Sequence, residues 1–148
     1  MLLRITAVAI TLSSIAGAQD WVLNPSNQHL YAVTPPLTWH AAQSWARSLG
    51  ANLVSIGDQA EQDWIYSRFG DSESLWIGLT DENHEGIWTW ISGETTAYTN
   101  WAPGEPDNLN GVEHWAHLTP RAGLPQGANG RWNDSINLSL RAIIETTP

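Results

Sequence analysis

The chain has 148 residues, room for one domain with a substantial core, and carries 15 acidic residues against six arginines and no lysine. The formal charge of −9 argues against nucleic acid as a partner, because that affinity comes from neutralising phosphates with Lys and Arg. Cysteine is absent and tryptophan occurs ten times, so there is no disulfide framework or thiolate site, and aromatic burial must carry more of the core.

Met1 to Arg4 supplies one positive charge, Ile5 to Ile15 is a short apolar run, and Ala16-Gly17-Ala18 is a small-residue cleavage signal. Residues 1–18 therefore read as a secretory signal peptide, too short to span a membrane. An N-terminal anchor is the weaker reading, since nothing extends the apolar stretch. The expected mature chain is secreted, or periplasmic in a Gram-negative cell, with no membrane span. Loss of Arg4 leaves five arginines against 15 carboxylates, a formal charge of −10. Acidity of that size serves a cation site and solubility equally well.

Residues 19–27 form a short polar lead-in, and 28–147 are expected to form the domain. His29 to Val33 has strand character and stops at Pro35-Pro36. Thr38 is a suitable N-cap, and Ala42, Trp45 and Leu49 recur at helical spacing up to Gly50, a natural C′ residue. A second helix starts at Asp58, with Glu61 three residues on as in a capping box. It directs Ala60, Trp64, Ile65 and Phe69 inward before Gly70 ends it. Strand signals follow at Leu75–Leu79, Ile87–Ile91, Glu113–Leu118, Gly130–Asn133 and Leu140–Glu145. Helices first and strands afterwards predict an α+β fold with a mainly antiparallel sheet.

Between Gly93 and Glu113 the chain is rich in Thr, Asn, Gly and Pro, and a loop that long in a compact domain is usually functional. It contains Asn100-Trp101-Ala102-Pro103-Gly104-Glu105-Pro106-Asp107, then Glu113, with Trp132-Asn133-Asp134 downstream. Glu105, Asp107, Glu113, Asn133 and Asp134 all offer hard oxygen atoms and none offers sulfur. Such a set suits Ca²⁺, which takes about 6–8 oxygen ligands in flexible geometry.

Six words in order carry a family resemblance. They are Thr38-Trp39-His40-Ala41-Ala42-Gln43 running to Leu49-Gly50, Leu53-Val54-Ser55-Ile56, Trp76-Ile77-Gly78-Leu79, the proline loop, Trp132-Asn133-Asp134, and Ala142-Ile143-Ile144-Glu145. From about Gln28 to Glu145 the chain resembles a C-type lectin-like domain, in a cysteine-free version that suggests a bacterial member. The resemblance implies that Glu105, Asp107, Glu113, Asn133 and Asp134 hold one calcium ion. It also implies that the Asp134 carbonyl joins them and that the bond before Pro106 is cis, a form X-Pro adopts at a cost of only about 0.5–1 kcal/mol. About two of eight positions then remain for sugar hydroxyls. Members commonly carry two disulfides, whose places align with Ala46 and Ile144 and with Trp115 and Asn137. Each would contribute about 2–4 kcal/mol, to be offset here by tryptophan burial and bound calcium.

The departure lies at Asp107. The mannose-type pattern is Glu-Pro-Asn and the galactose-type is Gln-Pro-Asp, whereas this chain has Glu-Pro-Asp. A carboxylate only accepts hydrogen bonds, so Asn133 is left as the one amide donor, and an altered sugar preference is expected. Leu109 stands where the galactose-type has a stacking tryptophan. Asp81 and Glu85 match an auxiliary calcium site, but its other two carboxylate positions are Asn108 and His114, so turn and loop-surface residues are the stronger reading.

Other constellations carry less. His114 and His117, three apart on a strand, point to opposite faces and are poor joint zinc ligands. A glycosidase pair needs divergent environments, and Glu105 with Glu113, clustered with an amide on one loop, reads as ion ligands instead. Asn133-Asp134-Ser135 and Asn137-Leu138-Ser139 fit a glycosylation pattern, the first better explained by calcium. An ice-binding role, known within the fold, has no support of its own. The expected function is a secreted, calcium-dependent, non-catalytic carbohydrate-binding module with Glu105, Asp107, Glu113 and Asn133 touching the sugar. The alternative is a protein-interaction or structural module, with an extracellular protein partner, in which calcium only orders the loop.

Overall fold

The computed structural model describes residues 19–70, 72–121 and 129–147. The expected signal segment at 1–18 lies outside them. In chain order the elements are β1 (Val22–Leu23), β2 (Leu30–Val33), α1 (Trp39–Ser48), β3 (Asn52–Leu53), α2 (Gln59–Phe69) and β4 (Leu75–Thr80). There follow β5 (Thr89–Trp90), a 3₁₀ turn at Leu109–Gly111, β6 (Trp115–Leu118), β7 (Trp132–Ser135) and β8 (Arg141–Thr146). The sheet runs β1-β2-β8-β4-β6-β7, with β3 added to β8 and β5 to β4. Of the described strand pairs only β4 and β8 run parallel, so the architecture is the expected α+β with a mainly antiparallel sheet.

β8 is the spine, because Ala142, Ile143, Ile144 and Glu145 are all buried and a strand covered on both faces reads as a near-continuous apolar run. It joins the N-terminal strands to β4, which in turn carries β6 and β7 outward to the edge where the candidate site lies. The lead-in is more than polar: β1 pairs with β2 through Val22↔Tyr31 and Leu23↔Leu30.

Both helices form where their signals lie, with details that periodicity does not give. Thr38 is extended and stands at the N-cap, but its side chain makes no capping bond; Asn137 Oδ1 accepts the Trp39 N–H instead, at 2.9 Å. At the far end Gly50 (φ +73°) completes a Schellman motif, Ala51 N–H reaching the Ala46 carbonyl at 3.0 Å and Gly50 N–H that of Arg47 at 3.1 Å. Leu49 is exposed, and Ala46, one turn earlier, fills the inward place. In α2 the Asp58 carboxylate accepts the Glu61 N–H at 2.8 Å, whereas Glu61 reaches back to the Gly57 N–H at 2.9 Å. Ala60 is exposed, contrary to the expected stripe, and Gln62 is buried in its stead. Gln62 Nε2 donates to the Gly130 carbonyl and its Oε1 accepts the Trp132 indole N–H, both at 2.8 Å. That tie between α2 and β7 explains a polar residue at a core position.

Three strands are shorter or shifted against their sequence signals. Ile87 is exposed, leaving only Thr89–Trp90 as β5. Glu113 and His114 precede β6 rather than belonging to it. Gly130 has φ +71°, a turn conformation, and a Cβ there would meet the Tyr66 ring at 2.8 Å; β7 therefore starts at Trp132 and runs on to Ser135.

The positions that align with the missing disulfides are filled in other ways. Ala46 and Ile144 are fully buried in one apolar cluster with Trp39, Leu53 and Trp76. Trp115 packs against that cluster, and Asn137 caps α1 as described. Gln62→Leu tests the α2–β7 tie. It leaves the Trp132 N–H without its acceptor, while Gly130 O keeps Asn100 Nδ2 at 3.2 Å. Urea denaturation should show a loss of about 1–3 kcal/mol, against less than about 0.5 kcal/mol for the exposed Ala60→Ser.

Candidate metal centre

The proline loop is rooted on β7 by backbone bonds. Trp132 N–H donates to the Asn100 carbonyl and Ala102 N–H to the Trp132 carbonyl, both at 2.8 Å, so Trp101 lies as a short parallel bridge beside Trp132. The Glu105–Pro106 peptide is cis, as the resemblance implied. Beyond it Asn108 (φ +45°) and Asn110 (φ +61°) take left-handed conformations, which asparagine adopts more readily than most residues. These turns fold the loop onto Asp134, which is fully buried. Asp134 Oδ1 accepts the Asp107 N–H at 3.3 Å and Oδ2 that of Asn108 at 2.9 Å. Asn108 Oδ1 accepts the Glu113 N–H at 3.0 Å, and Leu109 N–H donates to Asp107 Oδ1 and Glu113 Oε2, both at 3.1 Å.

The result brings the expected acids together from two separate stretches. Glu105, Asp107 and Asp134 each present an oxygen within 4.8 Å of the others. Glu113 adjoins them, close enough for its side chain to contact Asp107. Asn133 is adjacent through the backbone: its Nδ2 donates to the Asp134 carbonyl at 2.7 Å and lies 3.4 Å from His117 Nε2. The amide nitrogen, not its oxygen, therefore faces that carbonyl.

The donor set fits a hard cation on an observation internal to the site. Glu105 Oε2 is buried without a hydrogen-bond donor, and such an atom is costly unless something positive approaches it. Burial, then its contact with Asp134 and the Asp107 and Asp134 charges, push the Glu105 carboxyl up to about 7. Burial foremost raises Glu113 as well, with Asp134 and Asp107 adding to it. Among the described residues, none of these four carboxylates is in an ion pair with an arginine or histidine.

Two other clusters differ in that respect. Asp81, Glu85 and His114 also lie within mutual reach, and His114 Nδ1 is 3.1 Å from Asp81 and 3.4 Å from Glu85. Asp81 is buried and also accepts the Gly86 N–H at 2.8 Å. Asn108, aligned with this auxiliary site, is spent instead on Asp134 and Glu113. His117 turns to Asn133 and packs edge to face with Trp76, and burial lowers its pKa. The third cluster, His29, Glu61 and Glu145, was missed by sequence reasoning. Glu145 accepts the Ser55 N–H at 2.6 Å and meets His29 at 3.3 Å, while Glu61 accepts the Tyr31 hydroxyl. The one available signal was an acid directly following the apolar run Ala142-Ile143-Ile144.

Comparison with known proteins agrees with this fold. Residues 35–144 match the family model described as Lectin C-type domain. The chain belongs to the C-type lectin domain family. Hepatic lectin of Gallus gallus is 36% identical over 100 residues, covering 66% of this chain and 44% of that protein. C-type lectin domain family 10 member A of Homo sapiens is 30% identical over 146 residues, covering 90% of this chain and 42% of the relative. The chain thus spans less than half the length of these two relatives. Among solved structures, the cow C-type carbohydrate-recognition domain of CD23, crystallised in the presence of a GlcNAc2Man3 oligosaccharide, superposes with a TM-score of 0.75 at 25% identity, covering 89% of this chain and 96% of that one. A calcium-independent type II antifreeze protein shares the fold at TM-score 0.74 and 21% identity, covering 91% of this chain and 97% of that one. Among the described residues, no helix is long and apolar enough to cross a membrane.

The raised carboxyls give a pH dependence with a definite sign. Burial, above all, pushes Glu145 up to about 7, as it does Glu105. The folded chain then retains protons that the unfolded chain has released, and the associated stability is whole below the ordinary 4.5 and lost as pH rises through about 7. In EDTA the melting temperature is expected to fall between about pH 5 and 8, and Glu145→Gln to flatten part of that slope. A flat melting profile across the window would contradict the assignment.

Proposed function

We propose that this domain is a secreted, calcium-dependent carbohydrate-binding module without catalytic activity. The observation that carries the reading is the convergence of Glu105, Asp107, Glu113 and Asp134 around a buried carboxylate oxygen that no protein donor satisfies. Glu105, Asp107, Glu113, Asn133 and Asp134 hold the calcium ion, with the Asp134 carbonyl beside them. When bound, calcium supplies coordination positions for two neighbouring sugar hydroxyls. A half-turn of the Asn133 amide exchanges its nitrogen for its oxygen against the Asp134 carbonyl, turning two oxygens the same way. Hepatic lectin of Gallus gallus and the CD23 carbohydrate-recognition domain support the substrate class.

The chain's own residues then decide how a sugar is held. Glu105, Asp107 and Glu113 accept hydroxyl protons, and Asn133 alone donates an N–H. One hydroxyl finds both an acceptor and a donor, and its neighbour finds acceptors only. Leu109 is exposed at 57%, an aliphatic side chain beside the loop. Sugar selection therefore follows neither the mannose-type nor the galactose-type pattern.

Isothermal titration should show calcium binding with Kd about 10⁻⁴–10⁻³ M, as in extracellular modules, and a melting temperature raised by millimolar Ca²⁺ and lowered by EDTA. A glycan array read with and without chelator tests the sugar; binding that survives chelation would contradict the mechanism. At saturating calcium, Asp107→Asn is expected to raise affinity for mannose-type glycans several-fold, the roughly 0.5–1.5 kcal/mol of a recovered hydrogen bond.

The second reading is a protein-binding or structural module in which calcium only orders the loop. It is favoured by the acceptor-only character of Asp107 and by the calcium-independent neighbour of the same fold. Asn133→Ala separates the two: a sugar binder loses its glycan, whereas a structural site loses mainly thermal stability.

A further inference from the structure

Trp132 and Asp134 stand two residues apart on β7, so their side chains leave the same face of the strand about 7 Å apart along it. Asp134 turns into the carboxylate cluster. Trp132 lines a neighbouring cleft of about 220 Å³ with Trp88, Trp90, Tyr98 and Trp101. The rings meet edge to face, Trp88 and Trp101 with centroids 4.7 Å apart and Trp101 and Trp132 at 5.8 Å. Trp132 is fully buried and Trp90 nearly so, while Trp88, Tyr98 and Trp101 are half-buried and present ring surface at the opening. Trp101 also begins the loop that carries Glu105 four residues later, a stretch of chain spanning at most about 14 Å. Cleft and carboxylates are thus joined by β7 on one side and the loop on the other.

The chemistry of the cleft selects its occupant. Two groups are already engaged, Thr96 Oγ1 donating to the Gly57 carbonyl at 3.0 Å and the Tyr98 hydroxyl to Gln59 Oε1 at 3.1 Å. Glu94, Thr95 and Thr99 also line the cleft, and their exposed side chains have no hydrogen-bond partner among the described residues. No arginine or histidine lines the cleft, which gives a phosphate or carboxylate nothing to bind. Aromatic faces carry negative π charge and attract the slightly positive C–H bonds of a pyranose face. The rim hydroxyls and the Glu94 carboxylate complement that ring's hydroxyl edge. A pocket of this size admits one six-membered ring.

We propose that this aromatic cleft is a second saccharide subsite, holding the ring next to the one at the metal centre, so that the domain prefers an oligosaccharide to a single sugar. The inference rests on the carbohydrate reading above and adds a length preference and a set of residues to it.

The test compares methyl mannoside and methyl galactoside with mannobiose and lactose, by calorimetry at saturating calcium. At least one disaccharide should bind about tenfold more tightly than its methyl glycoside and shift tryptophan emission further. Trp88→Ala should abolish that gain while leaving calcium affinity and methyl glycoside affinity unchanged. Should Trp88→Ala unfold the domain, the rim variant Glu94→Gln with Thr99→Val decides, since both side chains are exposed; it should reduce the gain several-fold. Disaccharides that bind no better than methyl glycosides, or a gain that survives the variants, overturn the cleft while leaving the metal-centred reading standing. Calcium binding with no affinity for any of the four sugars overturns both.

Discussion

Asp134 is the residue on which the arrangement depends. Fully buried at the end of β7, its carboxylate accepts the backbone N–H groups of Asp107 and Asn108 and so draws the proline loop against the sheet. Those two bonds bring Glu105 and Asp107 beside a third acid, and the loop's own turns seat Glu113 next to them. The chain thereby accepts a concentration of like charge that would otherwise drive the loop away. A cation is the natural partner for such a set, since every group offers oxygen and none brings a positive charge.

The three acidic clusters show how differently a fold can treat the same residue types. Asp81 and Glu85 have His114 within ion-pairing distance, and Glu145 has His29 and the Ser55 N–H. Among the described residues of these clusters, only Glu105 keeps a buried oxygen, Oε2, without a hydrogen-bond partner. The distinction separates a carboxylate that ties elements together from one left free to hold something from outside. Counting acids does not reveal it, because each cluster offers three candidate ligands at similar separation.

Loss of cysteine is met by packing at the same positions. Ala46 and Ile144 join Trp39, Leu53 and Trp76 in one apolar cluster, so helix and spine strand are joined by buried area instead of a covalent bond. Asn137 contributes through its amide, capping α1 from the far end of the chain. Tryptophan recurs for a related reason near the site, where Trp88, Trp101 and Trp132 stack edge to face beneath the loop root. This aromatic floor at the loop root leaves the half-buried rings of Trp88 and Trp101 facing the neighbouring cleft.

Much of this was legible in the amino-acid order. Gly50 and the Asp58–Glu61 pair mark helix ends because capping is a local transaction between neighbours, and the five oxygen donors stand out because a carboxylate's chemistry travels with its residue type. Tertiary structure alone decided which side of each element is covered. Ala60 and Gln62 exchange places, and Leu49 yields to Ala46, because a helical stripe does not say what the neighbouring strand will offer. His29, Glu61 and Glu145 meet only because β2 pairs with β8 and α2 packs beside them, and Asn133 turns its nitrogen inward because the Asp134 carbonyl and His117 lie there. Local conformation follows from residues a few places apart. Charge compensation and burial depend on contacts across the whole chain, and those exist only once it has folded.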